Sequence, residues 1–158
     1  LNYVLSFVGV GPFLWTSDPQ MALPSLMFMA IMGGHGAAIV LLTAAMGSIP
    51  SSYYEAAHLD GASPWRQYWK ITLPLLRPTL LFLLVTSTIA SFQVFTQVLM
   101  MTGGGPDYAT TTLVYLIYSD AFEYFDFGKA AAVATLLSLS LAGIAVLQYK
   151  WLSSDVEY

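Results

Sequence analysis

"YEAAHLDGASPWRQYWKITLP", residues 54–74, carries two of the chain's five basic residues and lies between long apolar stretches. Its local chemistry predicts two short helices joined by a turn. Ser52 and Glu55, three apart, form a capping-box pattern in which the hydroxyl and the carboxylate each serve a free first-turn N–H, so a helix is expected to start after Pro50. Gly61 supplies the positive φ that ends a helix, and Ser63-Pro64 gives a fresh N-cap with proline at the first helical position. The second helix is expected to end at Leu73-Pro74. Ala56, Ala57 and Ala62 keep this helix–turn–helix closely packed, while Trp65, Tyr68, Trp69 and Ile71 make a greasy face that needs a partner or a membrane surface.

What flanks the insert fixes the class. The 158 residues are 57% hydrophobic and only 9% charged, against about a quarter charged in soluble domains. No Asp, Glu, Lys or Arg occurs between Asp18 and Glu55, between Arg77 and Asp107, or between Lys129 and Lys150. The shortest of these runs makes a helix of about 30 Å, enough for the hydrocarbon core. The expected fold is an all-α membrane protein with three spans, at about 21–48, 77–101 and 128–150, and a cytoplasmic loop at about 50–75. Residues 1–18, broken by Gly11, Pro12 and Pro19 and carrying Trp15, are placed outside the membrane core. The run "GGHGAA", 33–38, reads as a face of small side chains that a neighbouring helix approaches closely.

Charge distribution sets the expected orientation. Three crossings put Arg66, Lys70, Arg77 and Lys150 on one side and leave Lys129 alone opposite, so by the positive-inside rule the insert and the C-terminus are cytoplasmic. The N-terminal end and the 102–128 loop, with Asp107, Asp120, Glu123 and Asp126, are then outside. The chain has no cysteine, which excludes disulfides and thiolate metal sites. It starts at Leu1 without a basic leader and reads as a fragment that begins mid-pattern.

Several chemistries find no seat in this sequence. "GGGP", 103–106, is a turn and not a phosphate loop, because no G-x-x-x-x-G-K-[ST] occurs. His35 and His58 lie in no metal-binding spacing, and no nucleophile–base pair or paired carboxylates occur in the spans, so no catalytic or metal residue is expected. His35 is an interhelical hydrogen-bonder or a pathway residue, and His58 ordinary surface. An ion-coupled transporter would want a carboxylate inside a span, and none is present. The polar residues Ser87, Ser91, Gln93, Thr96 and Gln97 are candidates for a substrate path or for interhelical bonds. Gln93 and Gln97, one helical turn apart, are expected to face one cavity, and amides read sugar hydroxyls without a charge to desolvate. "YSDAFEYFDFGK", 118–129, is an interfacial anchor or a surface for a solute-binding protein.

The insert also carries a family resemblance. Glu55-Ala56-Ala57, Gly61 six residues after the glutamate, Ile71 ten later and Leu73-Pro74 resemble the EAA loop of binding-protein-dependent ABC importer permeases. With "DGAS" (60–63), "LPLLRPT" (73–79), "TGGGP" (102–106) and "IYSDAF" (117–122), the chain is most similar to carbohydrate-uptake permeases of the maltose and glycerol-phosphate type, over the C-terminal half of such a permease. Trp69 stands where relatives commonly have a basic residue.

The resemblance implies a subunit of the plasma (inner) membrane whose loop docks on a cytoplasmic ATPase through Glu55, Ala56, Ala57, Gly61, Ile71, Leu73 and Pro74. Closure of the ATPase dimer then levers the permease between inward- and outward-facing states. Implied partners are a second permease subunit, two ABC ATPase subunits that bind the ATP and Mg, an extracytoplasmic solute-binding protein and membrane lipid, with no nucleic acid and no cofactor in this chain. An ion-coupled secondary transporter or a non-transporting membrane scaffold is the alternative.

Overall fold

The computed structural model describes residues 2–9 and 11–153. Among them every regular element is helical: α1 (Asn2–Ser6), α2 (Pro19–Met32), α3 (Gly36–Gly47), α4 (Ser51–Leu59), α5 (Pro64–Gln67), α6 (Leu73–Phe92), α7 (Thr96–Met101), α8 (Leu113–Tyr118) and α9 (Phe127–Ser153), with π-helical turns at Tyr68–Thr72 and Ser119–Glu123. Three stretches are long and apolar enough to cross a membrane: Pro19–Gly47, Pro64–Met101 and Phe127–Trp151. Few of their residues are buried within the chain, so it leaves their apolar side chains largely uncovered.

The chain divides into two compact units, Leu1–Gly33 with Phe92–Leu137, and Gly34–Ser91 with Ser138–Tyr158. In the first, Leu26 of α2, Val98 of α7 and Tyr115 of α8 form a small core, with Val94, Phe95 and Leu99 packed against it. α2 starts on the Asp18 side chain, which accepts from the Gln20 N–H, with Pro19 at the first helical position. Ahead of it, the Asn2 side chain donates to the Phe13 carbonyl and accepts from the Phe13 N–H and the Trp15 indole N–H at 2.7–3.2 Å, tying the N-terminal loop to α1.

Four expectations are corrected by the backbone. Residues 33–38 are not one helix face: Gly34 has φ +80°, the helix stops between Met32 and Gly36, and only Gly36, Ala37 and Ala38 are helical, at the start of α3. No capping box forms, because Pro50 is the N-cap of α4 and Ser52 already lies in its first turn. Leu73-Pro74 does not end the second helix of the insert. α5, the π turn and α6 run on from Pro64 to Phe92, and the Leu73 N–H reaches back five residues to the Tyr68 carbonyl. Proline at 74 cannot donate to the Lys70 carbonyl and crowds it, and the wider π turn absorbs that misfit. Finally, the 102–128 segment is not all loop but holds α8 and the second π turn.

In the second unit the Gln148 amide of α9 donates to the Thr88 hydroxyl of α6 at 2.8 Å, and that hydroxyl donates onward to the Leu84 carbonyl. Thr88→Val removes the acceptor and strands the amide, and it is expected to cost about 1 kcal/mol. A lowered unfolding midpoint of the detergent-solubilised permease, with unchanged helix content by circular dichroism, checks this.

Candidate functional site

The insert is built around one turn. At the end of α4 the Gly61 N–H bonds the His58 carbonyl at 3.0 Å, and the Ala62 N–H bonds the Ala57 carbonyl at 2.9 Å, with Gly61 at φ +71°. This paired arrangement is the Schellman motif, and the left-handed residue it requires is glycine. Ser63 then caps α5, its hydroxyl accepting from the Arg66 N–H at 3.4 Å. Two side-chain bonds fasten the returning helix: Gln67 donates from its amide to the Ala62 carbonyl at 3.0 Å, and Tyr54 and Thr72 share a hydroxyl–hydroxyl bond at 2.9 Å. Thr72 is buried.

These fastenings leave one surface free. Glu55, Ala56 and Gly61 are exposed, Ala57 is half-buried, and Leu59 at the tip is 88% exposed. Among the described residues the Glu55 carboxylate has no hydrogen-bond or ion-pair partner, because the capping role predicted for it is not used. A hollow of about 530 Å³ opens beside it, walled by Tyr54, Glu55, His58, Gly61, Ser63 and Gln67 among others. Ile71, Leu73 and Pro74 are half-buried in and after the π turn. α4 thus presents an exposed leucine and an unpaired carboxylate on a helix fastened to the segment that follows it. Among the described residues no group of histidine and carboxylate side chains could hold a metal ion.

The other predicted residues are dispersed. α6 ends at Phe92 and α7 starts at Thr96, so Gln93 and Gln97 are not one turn apart on a single helix. Gln93 sits exposed in the break, Thr96 is exposed at the start of α7 and Gln97 is half-buried. Ser87 and Ser91 belong to the other compact unit, where Ser91 bonds the Thr88 carbonyl of its own helix at 2.8 Å. His35 lies at the N-cap of α3 and not mid-helix, and His58 is exposed in the last turn of α4.

A second hollow, of about 550 Å³, lies in the first unit between the Gly103–Gly105 turn and α8. Sequence reading missed how firmly this turn is held. Tyr115 donates to the Gly103 carbonyl at 2.8 Å, Thr111 to Gly104 at 3.1 Å and Thr110 to Gly105 at 2.8 Å. Burial, reinforced by the negative charge of Glu123, pushes the Tyr115 phenol above its usual range. Buried Asp120 pairs with Lys129 at 2.9 Å across the second π turn. Three glycines followed by three threonines were the available signal: glycine frees the backbone carbonyls and threonine supplies the donors that fasten them.

Comparison with known proteins follows the same lines. A family model described as "Binding-protein-dependent transport system inner membrane component" matches residues 2–158. The chain belongs to this family. It is 35% identical over 147 residues to the sulfoquinovosyl glycerol transport system permease protein SmoG of Agrobacterium fabrum, covering 92% of this chain and 48% of that protein. The probable ABC transporter permease protein YesP of Bacillus subtilis is 35% identical over 161 residues, covering 100% and 52%. The sn-glycerol-3-phosphate transport system permease protein UgpA of Yersinia pseudotuberculosis is 42% identical over 116 residues, covering 73% and 40%. The chain thus spans about half the length of these relatives. In fold it matches a bacterial ABC transporter involved in import of the acidic polysaccharide alginate, with a TM-score of 0.85 at 23% identity over 99% of this chain and 55% of that one. The family places the chain among inner-membrane transport components.

A methyl group on Gly104 would lie 2.6 Å from Tyr115 Cε1 at a φ of +80°. Gly104→Ala is therefore expected to destabilise the permease by about 3 kcal/mol, from overpacking and backbone strain together, and Tyr115→Phe by only about 1 kcal/mol. Unfolding midpoints of the two variants in one detergent check the order.

Proposed function

We propose that this chain is part of a transmembrane subunit of an ATP-driven ABC importer for a sugar, an oligosaccharide or a glycerol-phosphate compound. The carrying observation is the braced helix α4. Its Schellman turn and its two side-chain fastenings make it rigid while Glu55, Ala56, Gly61 and Leu59 stay exposed. α4 is the coupling helix of this reading. It docks in a cleft of a cytoplasmic ATPase subunit, and displacement of that cleft is passed through Gln67 and the Tyr54–Thr72 bond into the helix that continues from Pro64 to Phe92.

Alternating access follows from differential docking, since ATP binding shifts the permease population only by as much as α4 contacts the two ATPase states unequally. ATP and Mg belong to two ATPase subunits, and hydrolysis takes place there. A second permease subunit supplies the rest of the path, and an extracytoplasmic solute-binding protein delivers the solute. The insert and C-terminus are cytoplasmic, and the 102–128 segment faces outward. The substrate class is supported by the sugar-derivative and glycerol-phosphate relatives, and Ser91, Gln93, Thr96 and Gln97 are the proposed polar contributions to the path.

Gly61 makes the test selective. A Cβ there meets nothing within 4 Å, so a substitution is resisted by φ alone, and asparagine tolerates that φ. In vesicles holding the full-length permease with its partner subunits, Gly61→Asn is expected to retain ATP-driven uptake of one labelled sugar or glycerol phosphate. Gly61→Asp places a charge on the docking face and is expected to lower uptake about tenfold, the loss that ~1.4 kcal/mol of weakened docking gives, without loss of membrane insertion. Normal uptake by Gly61→Asp, or uptake driven by an ion gradient without ATP, overturns the reading.

A further inference from the structure

The helix that carries the returning half of the insert is longer than a membrane crossing requires. From Pro64 to Phe92 it is unbroken, about 29 residues or about 43 Å at 1.5 Å per residue, whereas the hydrocarbon core is about 30 Å thick. With Leu73–Phe92 filling that core, where Arg77 lies one turn in from the edge and within snorkelling reach of the headgroups, Pro64–Thr72 projects about 13 Å beyond it. A tilt of about 20° changes this by under a tenth. The headgroup layer on each face is about 5–8 Å deep, so Tyr68 and Trp69 in the π turn, about 6–8 Å out, lie within it, while Trp65, about 12 Å out, stands beyond it.

The side chains on this projecting segment suit that depth. Trp65, Tyr68 and Trp69 form one aromatic cluster, with ring centroids 5.5–6.0 Å apart. They are 70%, 42% and 49% exposed, so each keeps a large part of its ring uncovered by the chain. Arg66 and Lys70, one helical turn apart and both exposed, wall a hollow of about 210 Å³ toward α4, together with Ala57, Asp60, Gln67 and Ile71 among others. Asp60 is the only acid there, and no other Asp or Glu follows until Asp107. Among the described residues neither cation is ion-paired within the chain. Indole and phenol rings settle at headgroup depth, where basic residues meet lipid phosphates.

We propose that Pro64–Thr72 is a docking surface for anionic lipid headgroups of the adjoining leaflet, with Tyr68 and Trp69 seated among the headgroups, Trp65 just outside them, and Arg66 and Lys70 reaching phosphate. The proposal rests on the reading of Pro64–Phe92 as the start of a membrane crossing. The same short helix pair then has two contacts: α4 presents its free surface to a protein, and the helix behind it rests on lipid. Lipid charge in that leaflet thereby enters the mechanical link between insert and span.

The test uses the complete transporter in vesicles containing phosphatidylglycerol or phosphatidylcholine brominated near the headgroup end of the acyl chain. Tryptophan quenching is measured with and without the Trp65→Phe/Trp69→Phe pair, and the difference isolates these two indoles. Quenching by brominated phosphatidylglycerol is expected to exceed that by brominated phosphatidylcholine at equal mole fraction. Arg66→Gln and Lys70→Gln are each expected to lower the phosphatidylglycerol preference about fivefold. Equal quenching by the two lipids, or no quenching by either because protein covers the indoles, overturns the proposal. Solute uptake is followed in the same vesicles. A preference that persists where ATP-driven uptake is absent leaves this inference standing and removes the importer reading, so the two failures are separable.

Discussion

A backbone N–H or C=O left unbonded in hydrocarbon costs several kcal/mol, and this chain is arranged around avoiding that cost. Helices meet the requirement by themselves, so attention falls on the places where they stop. The break between α6 and α7 frees the Val94 carbonyl, and the Thr112 hydroxyl, eighteen residues on, donates to it at 2.7 Å. Hydroxyls along the spans look after themselves in the same way. Thr43, Thr86, Thr88 and Thr135 each donate to the carbonyl four residues back at 2.7–2.8 Å. Thr43, Thr86 and Thr135 thus bond their hydroxyls within their own helix, which explains how apolar stretches tolerate them, while Thr88 also accepts from Gln148 of α9.

The class was legible because it rests on composition. Charge-free runs long enough to cross a bilayer survive any error in local reading. Gly61 and Ser63-Pro64 were legible for a different reason: positive φ and a missing N–H are properties of single residues, whatever surrounds them. Patterns that needed two residues to cooperate fared worse. Ser52 and Glu55 have the spacing of a capping box, but Pro50, with φ already suited to a helix start, moves the boundary forward and takes the cap position.

Breaks and continuations were the hidden part of the sequence. Pro74 looks like a stop, yet the π turn before it supplies the room that proline demands, and the helix proceeds. Gly33-Gly34 and Gln93–Phe95 lie in apolar runs with no charge to mark them, so continuous spans were expected where the helices end. The consequence for the candidate residues is direct. Gln93 and Gln97 lose their shared face, whereas Glu55, Ala56 and Gly61 stay exposed together because the turn that arranges them is local. Tyr54, Gln67 and Thr72, which brace the insert, have no distinguishing residue type; only the folded return of the chain brings them together.

The π turn at Tyr68–Thr72 has one more implication. Closing a turn over five residues amounts to holding one surplus residue inside a helix, and each helical residue advances the azimuth by about 100°. The compass bearing of the insert about the membrane-crossing axis is therefore set by a single residue of phase. Gain or loss of that residue would leave the loop chemistry unchanged and point it at a different quadrant.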